Sequence, residues 1–181
     1  EDEQDHPLLT WAKRCLVLII ALFLFYLLFT YLGIGPDIFT IFEGQVASHT
    51  IDANYTIVID NETTIVFTEE LYGALFDLFI NNQQHEFKAC LHGTIIDDGA
   101  VHVYQLQTLL VPEIYDQSVY HVVSAGCDKE TLVSIHSHPY KHCLFSEQDI
   151  ASYRAFLEIA PDAIAAIMCE EDRFTFYSGR N

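Results

Sequence analysis

The run Cys15–Ile34, CLVLIIALFLFYLLFTYLGI, carries no charged residue, and it constrains this chain more than any other segment. At about 1.5 Å of rise per residue, a helix of this length matches a hydrocarbon core of about 30 Å. In such a medium each backbone N–H and C=O must be satisfied within the segment, so the run has to be helical. Tyr26 and Tyr31 lie in its second half and Trp11 just before it, where amphipathic rings settle at a membrane interface. A core helix of a soluble protein seldom stays apolar for so long. A cleaved signal peptide would need a shorter apolar region and a small-residue cleavage site, and no Ala-x-Ala pattern precedes Gln45. The run is read as one transmembrane helix.

That reading divides the chain into an acidic N-terminal tail (1–14), the span (15–34), a juxtamembrane linker (35–50) and one soluble domain (51–181). The opening Glu1-Asp2-Glu3-Gln4-Asp5 reads as disordered, and Gly33, Gly35 and Pro36 end the span. Lys13 and Arg14 precede the span, and no further Lys or Arg occurs until Lys88. The positive-inside rule then puts the N-terminus in the cytoplasm and the domain outside. The sequons Asn54-Tyr55-Thr56 and Asn61-Glu62-Thr63 agree, because they matter only in an exported domain. A formal net charge of −18 over 181 residues argues against nucleic acid and against adhesion to anionic lipid.

Within the domain, Tyr55–Ile59 and Thr64–Phe67 read as a hairpin around Asp60-Asn61. Thr68 opens a helix whose Leu71, Leu75, Leu78 and Phe79 recur at helical spacing and should face the core. Phe87–Ile96 reads as a strand that turns at Asp97-Asp98-Gly99 into Val101–Leu110. A strand at Thr131–Ile135, a helix at Ser146–Ile159 and a hairpin of Ala163–Cys169 with Phe174–Tyr177 follow. The order predicts an α/β sandwich, a mixed curved sheet flanked by helices.

The chemistry concentrates in His136-Ser137-His138-Pro139, followed by Ser146 and Asp149. Alternate residues of a strand point the same way, so His136 and His138 share a face. Pro139 ends the strand, and the helix opened by Ser146 carries Asp149 in its first turn. Two imidazoles and a carboxylate can thus meet at one metal ion. Three protein ligands leave a fourth position open to water, as in catalytic rather than structural zinc sites. Bound zinc lowers the pKa of that water to about 7. Metal-assisted hydrolysis is the expectation. Ser146-x-x-Asp149 is also a capping-box-like pattern; the two readings are compatible, since Ser146 can cap the helix and still face the metal water.

His136-x-His138-Pro139-x6-Ser146-x2-Asp149 resembles the motif of the JAMM (MPN+) metalloprotease family, and Glu86-Phe87-Lys88-Ala89-Cys90-Leu91-His92-Gly93 fits that family's upstream glutamate setting. The resemblance runs from about Ile57 to about Gly179. It implies a JAMM/MPN-like (cytidine-deaminase-like) fold and one Zn²⁺ per chain, held by His136, His138 and Asp149. It implies Glu86 as general base and Ser146 as a donor to the developing oxyanion; alone, Glu86 would read as a solvated glutamate at a strand start. The implied activity is that of a membrane-anchored isopeptidase or peptidase, cutting an amide at the C-terminus of a ubiquitin-like protein. Such substrates are cytoplasmic, which speaks against an external domain; outside the cell another exported peptide must serve. The alternative is a non-catalytic or partner-dependent scaffold subunit of a membrane complex. Family members with cysteines at similar places imply a Cys143–Cys169 disulfide that stiffens the ligand loop, the alternative being two free buried thiols.

Overall fold

The computed structural model describes residues 7–31, 34–99 and 101–179, in two compact units, Glu1–Thr40 and Ile41–Asn181. The first is dominated by helix α1, Pro7–Tyr31. Its stretch Thr10–Leu28 is long and apolar enough to cross a membrane, and none of that stretch is buried. The helix starts ahead of the apolar run and takes in Trp11, Lys13 and Arg14. The acidic run Glu1–Asp5 and Gly33 lie outside the described residues. Helix α2, Ile34–Ala47, follows, with Pro36 in its first turn, where a missing N–H costs nothing.

The second unit begins at Ile41, so part of the expected linker belongs to it: Gly44 is buried and His49–Thr50 form strand β1. After it come β2 (Thr56–Val58), β3 (Thr63–Phe67), helix α3 (Glu69–Asn81), β4 (Lys88–Asp97), β5 (His102–Leu110), β6 (Ile114–Gln117), β7 (Val122–Ser124), β8 (Val133–Ser137), helix α4 (Glu147–Leu157), β9 (Ile164–Glu170) and β10 (Arg173–Tyr177). Eight strands form one sheet in the order β1-β10-β9-β8-β4-β5-β3-β2. The β3–β5 and β8–β9 pairs are parallel and the others antiparallel. The sheet is curved and nearly closed, with β1 approaching β2.

Local chemistry sets these elements. The Thr68 side chain caps α3 by accepting from the Leu71 N–H at 3.2 Å, which satisfies an otherwise orphaned donor. Leu71, Leu75 and Phe79 are buried and Leu78 packs partly against the same core, which includes Ile65, Leu91, Tyr104, Leu106 and Val133. At Gly93 the β4–β5 register shifts, and a Cβ there would overlap the Gln105 carbonyl oxygen, so only glycine fits. Every residue from Ile164 to Cys169 of β9 is buried, as befits an inner strand with neighbours on both sides.

Two features join distant parts of this unit. Cys143 and Cys169 are disulfide-bonded (Cα–Cα 5.2 Å), as the resemblance implied. Cys90 and Cys127 form a second disulfide (5.7 Å) that the sequence did not signal. The β6–β7 hairpin, a separate two-stranded sheet, was likewise absent from the sequence reading.

Candidate metal centre

Strand β8 alternates Val133 and Ile135 into the core, with Ser134 and His136 on the other face. His138 lies one residue past the strand but prolongs its ladder, donating its N–H to the Met168 carbonyl of β9 at 3.1 Å. Ser137, between the two histidines, turns the other way. Its Oγ accepts from the Phe87 N–H and its N–H donates to the Phe87 carbonyl, both at 3.0 Å. This reciprocal clamp fixes Glu86, the residue before Phe87, beside the end of β8.

Ser146 and Asp149 close the site from α4. The Ser146 N–H and Oγ–H donate to Asp149 Oδ2 at 2.8 and 2.7 Å, and the Asp149 N–H donates to Ser146 Oγ at 3.1 Å. This is a complete capping box. It leaves Oδ1 facing His136 Nε2 at 3.3 Å. The Ser146 hydroxyl has one proton, and here that proton is given to Asp149.

Three side chains therefore converge. His136 Nε2 and His138 Nε2 are 3.0 Å apart, and His138 Nε2 is 3.5 Å from Asp149 Oδ2. Metal–ligand bonds of about 2.0–2.1 Å in a tetrahedron give ligand–ligand edges of about 3.3 Å. The two imidazole nitrogens lie near that distance from each other and each lies near it from one Asp149 oxygen, and one donor atom from each residue falls within 4.8 Å of the other two, so the trio could hold a metal ion. The His138 ring is also oriented for it. Its Nδ1–H donates to the His142 carbonyl at 3.1 Å, which leaves the Nε2 lone pair directed at the cluster.

Glu86 stands beside this trio, with Oε1 3.8 Å from His138 Nε2 and only 6% of the residue exposed. Burial raises its carboxyl pKa to about 7; the Asp149 charge adds to the rise, while His138 and His121 oppose it. Burial pushes Asp149 the same way, but the adjoining His136 and His138 imidazoles and the Ser146 hydroxyl outweigh it and hold Asp149 well below the usual carboxylate range. Burial likewise lowers the His136 pKa, opposed by the Asp149 carboxylate, and so favours the neutral imidazole that a metal ligand requires. Two carboxyls that line the same cleft are thus driven in opposite directions, one toward proton exchange at neutral pH and one toward permanent charge.

The trio and Glu86 line one cleft of ≈ 290 Å³. Its walls include Lys88, whose pKa burial lowers, Tyr140, and the hairpin residues Val119 to Val122. All five residues expected from the sequence come together here. Tyr140 lines it in the left-handed conformation (φ 60°). Sequence reasoning missed Ser137 and His121. Ser137 could have been found from its place between two histidines of one strand face, itself facing the opposite way; nothing in the pattern around His121 marks it. The chain matches no protein-family model and no curated protein.

Proposed function

We propose that the chain is a membrane-anchored, zinc-dependent peptidase or isopeptidase with a JAMM/MPN-like catalytic domain. The observation that carries this reading is the convergence of His136, His138 and Asp149, one donor atom from each within 4.8 Å of the others, with the buried Glu86 carboxyl beside them. The donor set of two imidazoles and one carboxylate suits zinc with one open position. Bound there, Zn²⁺ would polarise the scissile carbonyl and lower the pKa of water.

The chain's own residues account for the rest. Glu86 accepts the proton of the attacking water and gives it to the leaving amine, and a carboxyl near pKa 7 can both take and return a proton at neutral pH. Asp149 stays ionised, and the capping box fixes its direction. Ser146 supports Asp149 in the resting state; to donate to an oxyanion its hydroxyl must rotate away from Oδ2. The substrate is a polypeptide amide, at the C-terminus of a ubiquitin-like protein or, outside the cell, of another exported protein. Two disulfides support a domain in an oxidising compartment, and with α1 as the span they favour an N-terminus in the cytoplasm.

Zinc stoichiometry of the purified chain, beside a His138→Ala variant, tests the centre. About one zinc per chain, lost in the variant, supports it, and a peptidase screen with Glu86→Gln as control follows. A chain that takes up no zinc even when zinc is added back refutes it and moves a non-catalytic scaffold role to the front.

A further inference from the structure

The β6–β7 hairpin carries a closed set of hydrogen bonds that no step above uses. His121 Nε2 lies 2.9 Å from Asp116 Oδ2, and His121 Nδ1 lies 2.8 Å from Ser118 Oγ. Ser118 Oγ also accepts the Tyr120 N–H at 3.1 Å, and the Ser118 N–H donates to the His121 carbonyl at 2.8 Å. One tautomer satisfies every group. With the proton on Nε2, His121 donates to Asp116 and accepts the Ser118 hydroxyl proton at Nδ1, so that Ser118 Oγ donates once and accepts once. Asp116, on β6, is itself held below the usual carboxylate range by the hydrogen bond from His121.

This brace ends on the general base. The Ser118 carbonyl accepts the backbone N–H of Glu86 at 2.7 Å. Glu86 precedes β4 and so lacks a ladder partner of its own. Its backbone is held at two points, by Ser118 here and through Phe87 by Ser137. Only the second comes from the main sheet. The first comes from a two-stranded hairpin, an element marginal in isolation, which His121 ties across its turn.

We propose that His121 is a positioning residue: through Asp116 and Ser118 it locks the hairpin turn, so that the Ser118 carbonyl holds Glu86 in register at the metal cleft. This rests on the reading of Glu86 as the general base. His121 touches none of the three ligands, so it governs where the base stands and not whether the ion binds. A misplacement of about 1 Å in such a group can lower a rate by about 100-fold.

The test is amide hydrogen exchange on the full chain in detergent micelles, followed at the Glu86 N–H and across β4 and β8, with bound Co²⁺ measured in parallel. In His121→Ala the Glu86 amide should exchange at least tenfold faster, while β4 and β8 stay protected and one Co²⁺ per chain remains. Asp116→Ala should show the same local effect, smaller. His121→Asn keeps a polar atom near the Nδ1 position and should recover most of the protection. Unchanged Glu86 exchange in His121→Ala would overturn the proposal. So would a rise shared equally by β4 and β8, which marks a purely structural role. Failure of the wild type to bind Co²⁺ would refute the metal reading instead, and the exchange result would still decide whether the brace holds Glu86.

Discussion

Removing the Cys143–Cys169 bridge should weaken both the fold and the metal site, and a comparison with the other bridge separates the two effects. The cysteines are 26 residues apart, and the chain-entropy relation for such a loop gives about 3.5 kcal/mol of stabilisation. The Cys90–Cys127 bridge spans 37 residues and gives about 4 kcal/mol by the same relation. With roughly 2.1 cal/mol/K of unfolding entropy per residue in the second unit, 3.5 kcal/mol corresponds to a fall in Tm of roughly 12 °C. Stability alone therefore ranks the two bridges almost equally. Their positions do not. Cys143 follows His142, whose carbonyl orients the His138 ring, and the Cys143 carbonyl itself accepts from Thr175 Oγ1 at 2.7 Å. Cys90 and Cys127 belong to neither the ligand trio nor the cleft wall. Replacing Cys143 and Cys169 together by Ser should lower Zn²⁺ affinity about 10–100-fold, the usual cost of losing a group that orients a ligand. Replacing Cys90 and Cys127 should lower Tm by a similar amount with affinity within about twofold. Calorimetry for Tm and competitive chelator titration below the lower Tm measure both. Equal affinity losses in the two double variants, or none in the first, would refute the argument that the bridge acts on the site through residues 142 and 143.

Glu86→Gln should keep the metal and lose hydrolysis by at least about 100-fold, read by zinc content and peptidase rate together. In the metal-free protein the raised Glu86 pKa makes stability pH-dependent. Its contribution is present in full below 4.5, the ordinary value, and is lost as pH rises through about 7, a difference of about 3 kcal/mol. Metal-free Glu86→Gln should therefore be more stable than wild type at pH 8 and equal to it at pH 4, and denaturant titrations giving the same difference at both would contradict the burial argument. Ser146→Ala removes the α4 cap and should cost about 1 kcal/mol. It also removes one of the two hydrogen bonds that Ser146 gives Asp149 Oδ2, leaving only the backbone N–H, so metal affinity should fall with it, whereas Ser146→Thr keeps both in the same titration.

The parts legible in the sequence are those where local chemistry and long-range packing agree. Thr68 before Glu69 and Glu70 announces α3, and the His136/His138 alternation with Pro139 and Ser146-x-x-Asp149 announces the ligand trio. The hairpin of β6 and β7 was not legible, because Ile114, Tyr115 and Asp116 do not alternate cleanly and a register shift breaks the pairing between Ile114 and Asp116. The Cys90–Cys127 pairing was hidden for another reason. Cys127 lies between β7 and β8, and its approach to Cys90 of β4 is a long-range contact that no spacing reveals. Ser146 shows how one pattern holds two roles: the capping box and the support of a ligand are the same three hydrogen bonds.

Gly44 bears on how this protein can be handled. A Cβ at that position would lie 3.0 Å from the Cys143 Cβ and 3.2 Å from its backbone nitrogen, so α2 meets the disulfide backbone to side chain with nothing between. Just beyond it, the Arg173 guanidinium donates to the Gln45 carbonyl and to Ser48 Oγ. A soluble fragment trimmed at Gln45 to shed the apolar helix would discard Gly44, expose one flank of the bridge to water, and leave the carbonyl that holds His138 without its backing. The shortest fragment that keeps the ligand loop intact starts no later than Ile41.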